Sequence, residues 1–456
     1  MSRLSAMNAV HVVGIGGAGM SAIATVLAGM GHRVSGSDLK SSRTTERLTR
    51  LGLDVRIGHD KDAVEGADVV TISSAIPEDN IEVRRAIELG IPVWSRADML
   101  SEIAAQRRCV AVAGTHGKTT TASMLSLILV EAGSRPSFII GGDVNDIGTN
   151  AVWDSGEWLV VEADESDGTF LRIPAELVIV TSLEPDHLEH YGSFEALRSG
   201  FAHFVGRSSG AIISADSPEA AALAAGAPEG SVLVGMAEGA AVRMSGLVTG
   251  RGEVSFDLLE GKDELGHFSL PVPGEYNAEN AALAVAAALR IGATAQDARR
   301  ALARFAGVAR RYEFRGERGG VTFVDDYAHL PGEVRAALRA ARQGGFARVV
   351  AVFQPHRYSR TESLAEYFSD AFVDADITVV TSVYPAGEPV RPGVSGQLVV
   401  DAVLRSHPAA DIRFVPDHAG LLEFLRSTLS AGDLCISLEA GDLTGLPDEL
   451  LADDSW

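Results

Sequence analysis

Cysteine is nearly absent from this chain of 456 residues: Cys109 and Cys435 are the only two, each inside an apolar run that reads as a strand. That excludes a disulfide framework or a cysteine-held metal and leaves two small core residues. Uninterrupted apolar runs of about 18 residues are missing, as is a signal-peptide pattern, so a soluble cytoplasmic protein that spans no membrane is expected. Positive charge is also scarce, since 39 Lys and Arg stand against 61 Asp and Glu for a net charge of −22. Nucleic-acid binding needs cations to neutralise phosphates, so that partner class is excluded, and small anions are confined to places where cations gather. Neither tail is low-complexity, and 46% hydrophobic with 22% charged residues is an ordinary globular α/β composition. The length is too great for one core and suggests three domains.

What the chain does contain is centred on Val110-Ala-Val-Ala-Gly-Thr-His-Gly-Lys-Thr-Thr-Thr121. The apolar run Cys109 to Ala113 reads as a buried strand that breaks at Gly114-Thr-His-Gly-Lys118 and passes into a helix closed by Gly133. Strand, tight glycine turn and helix start make a phosphate site: backbone N–H groups converge, the helix N-terminus adds partial positive charge, and Lys118 brings a full one. Thr119 offers a hydroxyl to Mg²⁺. The loop departs from G-x-x-x-x-G-K-[ST], because Val112 stands where the first glycine would be and the glycines are Gly114 and Gly117. ATP is the expected ligand.

Earlier in the chain, Val10-His-Val-Val-Gly-Ile-Gly-Gly-Ala-Gly-Met-Ser21 is a strand entering a glycine turn and a helix. Gly14, Gly16 and Gly19 satisfy G-x-G-x-x-G, and Asp38 ends the next strand where a ribose-binding carboxylate would sit. The fingerprint says Rossmann-type nucleotide binding without saying which nucleotide; a dinucleotide and a nucleotide-sugar pyrophosphate would use the same N–H groups. Val69 to Pro77 is a later strand with a polar end, where Ser73 and Ser74 are either ligand-facing or turn residues. A charged stretch, Ser101 to Arg108, marks the first boundary.

Beyond the phosphate loop, Trp158-Leu-Val-Val-Glu-Ala-Asp-Glu-Ser-Asp167 is a strand ending in acidic residues, and Leu177 to Ser182 is a strand opening into Leu183-Glu-Pro-Asp-His-Leu-Glu-His190. Ligands of open α/β sheets collect beyond strand carboxyl ends, where Glu162, Asp164, Glu165, Asp167, Asp186 and His187 lie. Glu162 follows three apolar residues, and a charge held there is costly unless a cation such as Mg²⁺ offsets it. Asp164, Glu165 and Asp167 read equally well as a solvated acidic loop. His187 is by chemistry more often a structural residue than a Mg²⁺ ligand. Asn277 and Asn280 share a face of a helix start and read locally as caps.

A composition change at Ala309-Arg-Arg-Tyr-Glu-Phe-Arg315 marks the second boundary, and the remainder alternates strand and helix as a second doubly wound pattern. Two of its strands end in Asp325-Asp-Tyr-Ala-His329 and Gln354-Pro-His-Arg-Tyr-Ser-Arg360. Arg357 and Arg360 are candidates for clamping a carboxylate or phosphate, with an unpartnered surface pair as the alternative.

The glycine turn followed by GTHGKTTT, VEADESD, EPDH, YNAEN, ARRYEF, DDYAH and FQPHRYSRT, in that order across the whole chain, resembles the Mur ligase family. The resemblance implies an α/β protein of three domains: a Rossmann-like domain (1–107) holding the UDP end of a sugar substrate, a P-loop ATPase-like domain (108–308) for ATP and Mg²⁺, with Mn²⁺ as an alternative, and a Rossmann-like domain (309–456) for the amino acid. It implies ATP-dependent carbon–nitrogen ligation in peptidoglycan precursor synthesis, with UDP-N-acetylmuramate as the acid. HRYSRT favours L-alanine as the amine over the tripeptide used by a sister ligase. Carried over by residue, Gly114, Thr115, His116, Gly117, Lys118, Thr119 and Thr120 take the ATP phosphates; Asn277 and Asn280 lie near adenine; Arg311 and Asp326 contact ATP from the third domain. Thr119, Glu162 and His187 match metal ligands. Gly16, Gly17, Ala18, Gly19, Met20, Ser37, Asp38, Ser73 and Ser74 fall to the UDP substrate, and His329, Arg357 and Arg360 to L-alanine and the muramyl carboxylate. Lys118, Glu162, His187 and His329 are the expected catalytic set. Tyr276 stands where the family often has histidine, and Leu330 and Gly332 replace a second histidine and a threonine, so no role passes to those positions. An NAD-dependent oxidoreductase built on the first glycine turn, and an ATP-switched binding protein that makes no amide, are the rivals from other classes.

Overall fold

Three sheets organise the chain in the computed structural model, which describes residues 3–452 other than Ser74 and the side chains of Leu188 and Glu189. In the first, Asp54–Ile57, Arg33–Asp38, Ala9–Val13, Val69–Ile72 and Val93–Ser95 lie side by side, all parallel. Ala9–Val13 is central and buried at every position, which is why its residues are apolar on both faces apart from the buried His11.

The second sheet has ten strands. At its heart Arg108–Ala113 lies between Leu177–Val180 and Trp158–Glu162, parallel to both. Val112 pairs with Glu162 and Ala113 with Val180, so the phosphate loop, the acidic segment and the segment after Val180 leave the sheet at one level. Ligand chemistry is therefore confined to one edge. The third sheet runs Glu313–Arg318, Val321–Asp326, Leu434–Glu439, Val349–Gln354, Ile377–Val380 and Ile412–Phe414, parallel except for its first strand.

The chain forms two compact units. One runs through Gly246 and adds Phe256–Phe268 and Glu279–Phe305; the other holds Leu247–Ser255, Ser269–Ala278 and the chain from Ala306 on. The boundary expected at 107/108 separates two sheets but lies inside the first unit. One apolar cluster there runs from Val12 and Ile23 through Ala111 and Val161 to Phe201 and Ile213. Salt bridges add to it: Arg47 to Asp143 at 3.1 Å, and Arg96 to Asp164 and Asp167 at 3.4 and 3.0 Å.

Cys109 and Cys435 are buried and unpaired, with thiols pushed up to about 12 by burial, as expected of core residues. No described helix is long and apolar enough to cross a membrane. Phe170, fully buried behind the acidic segment, lies with its ring centroid 4.9 Å from Phe201 and 5.1 Å from Phe204. Phe170→Ala is expected to destabilise the first unit by about 3–5 kcal/mol, read as a fall in its denaturant midpoint; a change below about 1 kcal/mol would contradict this packing account.

Candidate active site

The phosphate loop is shaped by two glycines that nothing else could replace. Gly114 has φ +137°, and a Cβ there would lie 2.2 Å from Thr181 Oγ1. Gly117 caps the helix Lys118–Glu131 at φ +80°, and a Cβ there would lie 2.3 Å from Asn280 Oδ1. Both demand a left-handed backbone and a missing side chain together. The loop leans on the segment after Val180: Thr115 N–H donates to Ser182 O (3.1 Å), His116 N–H to Ser182 Oγ (2.9 Å), and Glu184 N–H to Thr115 Oγ1 (2.9 Å). The His116 ring meets Glu184 at 3.2 Å.

Lys118 opens the helix, and its Nζ donates to Gly114 O (2.6 Å), Thr115 O (3.3 Å) and Glu165 Oε1 (2.8 Å). Burial works against its charge, but Glu165, Asp164 and Glu162 outweigh burial and raise its pKa. Thr119 Oγ1 donates to Glu162 Oε1 at 3.0 Å, and Gly141 N–H donates to Glu162 Oε2 at 2.7 Å. Thr120 is buried next to it. A hydroxyl and a carboxylate in contact are hard oxygen donors of the kind Mg²⁺ takes. Among the described residues no group of three or more His, Cys, Asp or Glu side chains is arranged to hold a metal ion. One or two such oxygen donors are the protein share usual for Mg²⁺, whose shell is otherwise filled by substrate phosphates and water. His187 has φ +51°, with Nε2 3.1 Å from Asp186 Oδ2.

The acidic segment is knit into the protein by hydrogen bonds although Asp164 and Asp167 remain partly exposed. Asp164 and Asp167 share Arg96, and each also accepts a backbone N–H, from Ser166 and Thr169. Glu165 is 2% exposed. Burial foremost, with Asp164 adding, pushes its carboxyl up to about 7 although Lys118 opposes the shift. Neither Asn277 nor Asn280 caps a helix, because both lie inside the helix Glu275–Arg290. Asn280 Oδ1 accepts from Thr121 Oγ1 at 3.2 Å, bracing the phosphate-loop helix, and Asn277 Nδ2 donates to Pro273 O at 2.7 Å.

On the first sheet, Gly14 and Ile15 N–H both donate to Ser37 O (2.8 and 3.0 Å), and Gly16 N–H to Asp38 Oδ2 (2.8 Å). Gly17 caps the helix Ala18–Gly29 with no side-chain partner, so the N–H groups of Ala18, Gly19 and Met20 form an open helix start. Ser37 is fully buried and its hydroxyl donates to Glu82, so it shapes the turn through its carbonyl and does not face a ligand. Ser73 adjoins the turn at Gly14; Ser74 lies outside the described residues. Arg96, which motif reading passed over, adjoins Gly19 and holds the acidic segment at once.

In the second unit, Asp326 accepts from Tyr312 N–H and Ala328 N–H, each at 2.7 Å, and burial raises it to about 6 against the pull of Arg311. Arg311 lies over Tyr327, 5.2 Å from the ring centroid. His329 Nδ1 is 3.0 Å from Tyr327 O, an acceptor only, so the proton sits on Nδ1 and Nε2 keeps its lone pair. The ring of His356 lies 5.6 Å away, and its Nδ1 accepts from Arg360 Nη1 at 3.1 Å, which leaves the proton on Nε2. Burial, then Arg360 and its neighbours, holds both histidines near 4, so both are neutral at pH 7. Arg357 has φ +68° and donates its N–H to Tyr384 O at 2.8 Å. Two guanidiniums beside two neutral imidazoles suit a carboxylate that carries an amine. His356 was not singled out from sequence; its place depends on a bridge to Tyr384 that no local motif announces.

Three family models match: Mur ligase family, catalytic domain at residues 9–108; Mur ligase middle domain at 112–288; and Mur ligase, glutamate ligase domain at 310–438. The UDP-N-acetylmuramate–L-alanine ligase of Anaeromyxobacter sp. (strain Fw109-5) is 44% identical over 445 residues, 97% of each chain. That of Rubrobacter xylanophilus is 44% identical over 97% of this chain and 99% of its own. The solved UDP-N-acetylmuramate–alanine ligase of Thermotoga maritima matches with a TM-score of 0.80 and 27% identity over 98% of both chains.

The two histidines predict a sign for acid sensitivity. Each is held near 4 when folded, against an ordinary 6.5, so below 6.5 the unfolded chain binds more protons and stability falls as pH drops toward 4. Denaturant unfolding of wild type and His329→Gln across that window should show a shallower decline in the variant; parallel curves would contradict the assignment.

Proposed function

The chain belongs to the Mur ligase family, and from that premise we propose that it joins L-alanine to UDP-N-acetylmuramate at the expense of ATP, a step of peptidoglycan precursor synthesis. The observation that supports the reading is the meeting of Lys118, Thr119 and Glu162 at the carboxyl ends of two neighbouring strands, in a chain similar over 97% of its length to an L-alanine ligase. Substrates of this kind place the work in the cytoplasm. The oxidoreductase rival leaves the phosphate loop, Glu162 and the third sheet without a use.

The open helix start at Ala18, Gly19 and Met20 receives the UDP pyrophosphate. Ser73 adjoins that turn, and Asp38, already bonded to Gly16, keeps it in shape. ATP phosphates lie on the N–H groups of Gly114 to Thr120, with Lys118 as the full charge. Asn277, Asn280, Arg311 and Asp326 are assigned to the nucleotide. Thr119 Oγ1 and Glu162 would hold Mg²⁺, which when bound supplies charge neutralisation to the transferring phosphoryl group. His187 joins that set as a candidate ligand.

The muramyl carboxylate attacks the γ-phosphorus, ADP leaves, and an acyl phosphate results. The amine of L-alanine then attacks the acyl carbon and phosphate departs. Arg357 and Arg360 hold carboxylate, bidentately where geometry allows. His329 Nε2, with its lone pair kept by the Tyr327 carbonyl, takes the amine proton. No side chain forms a covalent bond; the protein neutralises and positions.

Mass spectrometry of a mixture of ATP, Mg²⁺, UDP-N-acetylmuramate and L-alanine is expected to show the alanyl product only when every component is present, and product with NAD(H) in place of ATP would overturn the reading. Lys118→Ala is expected to lower turnover by about 10²- to 10³-fold. Arg360→Ala should raise KM for L-alanine with little change in KM for ATP; the reverse pattern would reassign that arginine.

A further inference from the structure

Glu165 is absent from the roles above, yet no other carboxylate of the acidic segment depends so wholly on one partner. Its Oε1 is 2.8 Å from Lys118 Nζ, and its Oε2 is buried with no hydrogen-bond partner. The neighbouring carboxylates are differently placed. Asp164 has Arg96 and the Ser166 N–H, Asp167 has Arg96 and the Thr169 N–H, and Glu162 has Thr119 and the Gly141 N–H. The remaining titratable group facing Glu165 is Tyr191, whose hydroxyl donates to the Glu165 carbonyl at 2.6 Å and whose phenol is pushed up by burial and by these carboxylates, so it stays a neutral donor.

We propose that Glu165 is a positioning residue that competes with the triphosphate for Lys118, so that nucleotide binding replaces one anion by another at the ammonium while the displaced carboxyl takes up a proton. The inference rests on the reading of the loop as the ATP site. Its physical content is that a buried carboxylate cannot lose the cation it contacts and stay ionised, because desolvation and Asp164 both then act against it. One proton from solvent adds to the carboxylate, and no other bond forms or breaks. Until that exchange, Glu165 holds Nζ beside the carbonyls of Gly114 and Thr115, at the mouth of the loop where a phosphate must arrive.

Near pH 7 this carboxyl is half protonated, since its pKa stands at about 7. Going to full protonation then takes up about half a proton per nucleotide bound. Affinity must therefore weaken as pH rises through 7.

The test is calorimetric titration of the full chain with Mg²⁺ and a non-hydrolysable ATP analogue at pH 7, in buffers of different ionisation enthalpy. Wild type is expected to take up about half a proton more than Glu165→Gln, and the variant to bind about twofold tighter at pH 7 and about tenfold tighter at pH 8, since it offers Lys118 no competing charge. Equal proton uptake in the two proteins, or unchanged or weaker binding by the variant, would overturn the proposal; a merely structural role would weaken binding. Should Glu165→Gln not fold, wild-type affinity measured from pH 6 to 8 decides alone, and a flat or rising affinity overturns it. Lys118→Ala separates the two claims. If wild type binds and Lys118→Ala does not, the loop is the nucleotide site whatever Glu165 does; if Lys118→Ala binds as wild type does, the site assignment falls and this inference with it.

Discussion

An ammonium and a carboxylate withdrawn from water beyond the ends of two neighbouring strands set the terms for the first unit. Burying such a pair costs several kcal/mol per ion before mutual attraction repays any of it. A hydrophobic pair would serve stability as well. What the Lys118–Glu165 pair provides is a cation held at a fixed point, by its own loop carbonyls and one acidic partner, where apolar residues would leave none. Around it the strand Arg108–Ala113 gives a rigid support, two left-handed glycines turn the backbone, and residues 181–184 brace the turn from the neighbouring strand.

The same reasoning extends to the chain's charge. With a net charge of −22 the protein repels anions as a whole, so each place that must receive one gathers cations locally. Lys118 lies at the carboxyl edge of the second sheet, with Arg96 paired to Asp164 and Asp167 of the acidic segment. In the second unit Arg310 and Arg311 lie by Tyr327, and Arg357 and Arg360 beside His356. Some of these cations are already matched by acids. Arg310 pairs with Glu439, which is fully buried, and Arg96 with Asp164 and Asp167, which are partly exposed. Matching keeps the guanidiniums in place without leaving an uncompensated charge inside the protein.

Much of this was legible from sequence, and the limit has a physical cause. The phosphate loop and the first glycine turn are local: their φ angles, glycines and helix starts are fixed by neighbours in the chain, and motif spacing reads them directly. Glu162 was legible because three apolar residues announce the strand that ends there. Sequence leaves Glu165 equally open to a solvated loop and to a ligand-facing strand end, because its partner Lys118 is 47 residues away. Arg96 was invisible for the same reason, 68 residues from Asp164. Asn277 and Asn280 read as caps on local evidence alone and as adenine neighbours only by family resemblance, since a side chain that braces Thr121 across 159 residues has no local signature. Ser37 falls to the ligand by family resemblance, while its hydroxyl is drawn inward to Glu82, which no spacing rule shows.

The central claim is chemical: the loop brings the γ-phosphorus of ATP and a sugar carboxylate close enough to exchange an oxygen. UDP-N-acetylmuramate labelled with ¹⁸O in its carboxylate tests this directly when turned over with ATP and L-alanine. An acyl phosphate requires one labelled oxygen to leave in the released inorganic phosphate, and mass spectrometry of that phosphate should find it. Unlabelled phosphate accompanying labelled amide product would contradict the account.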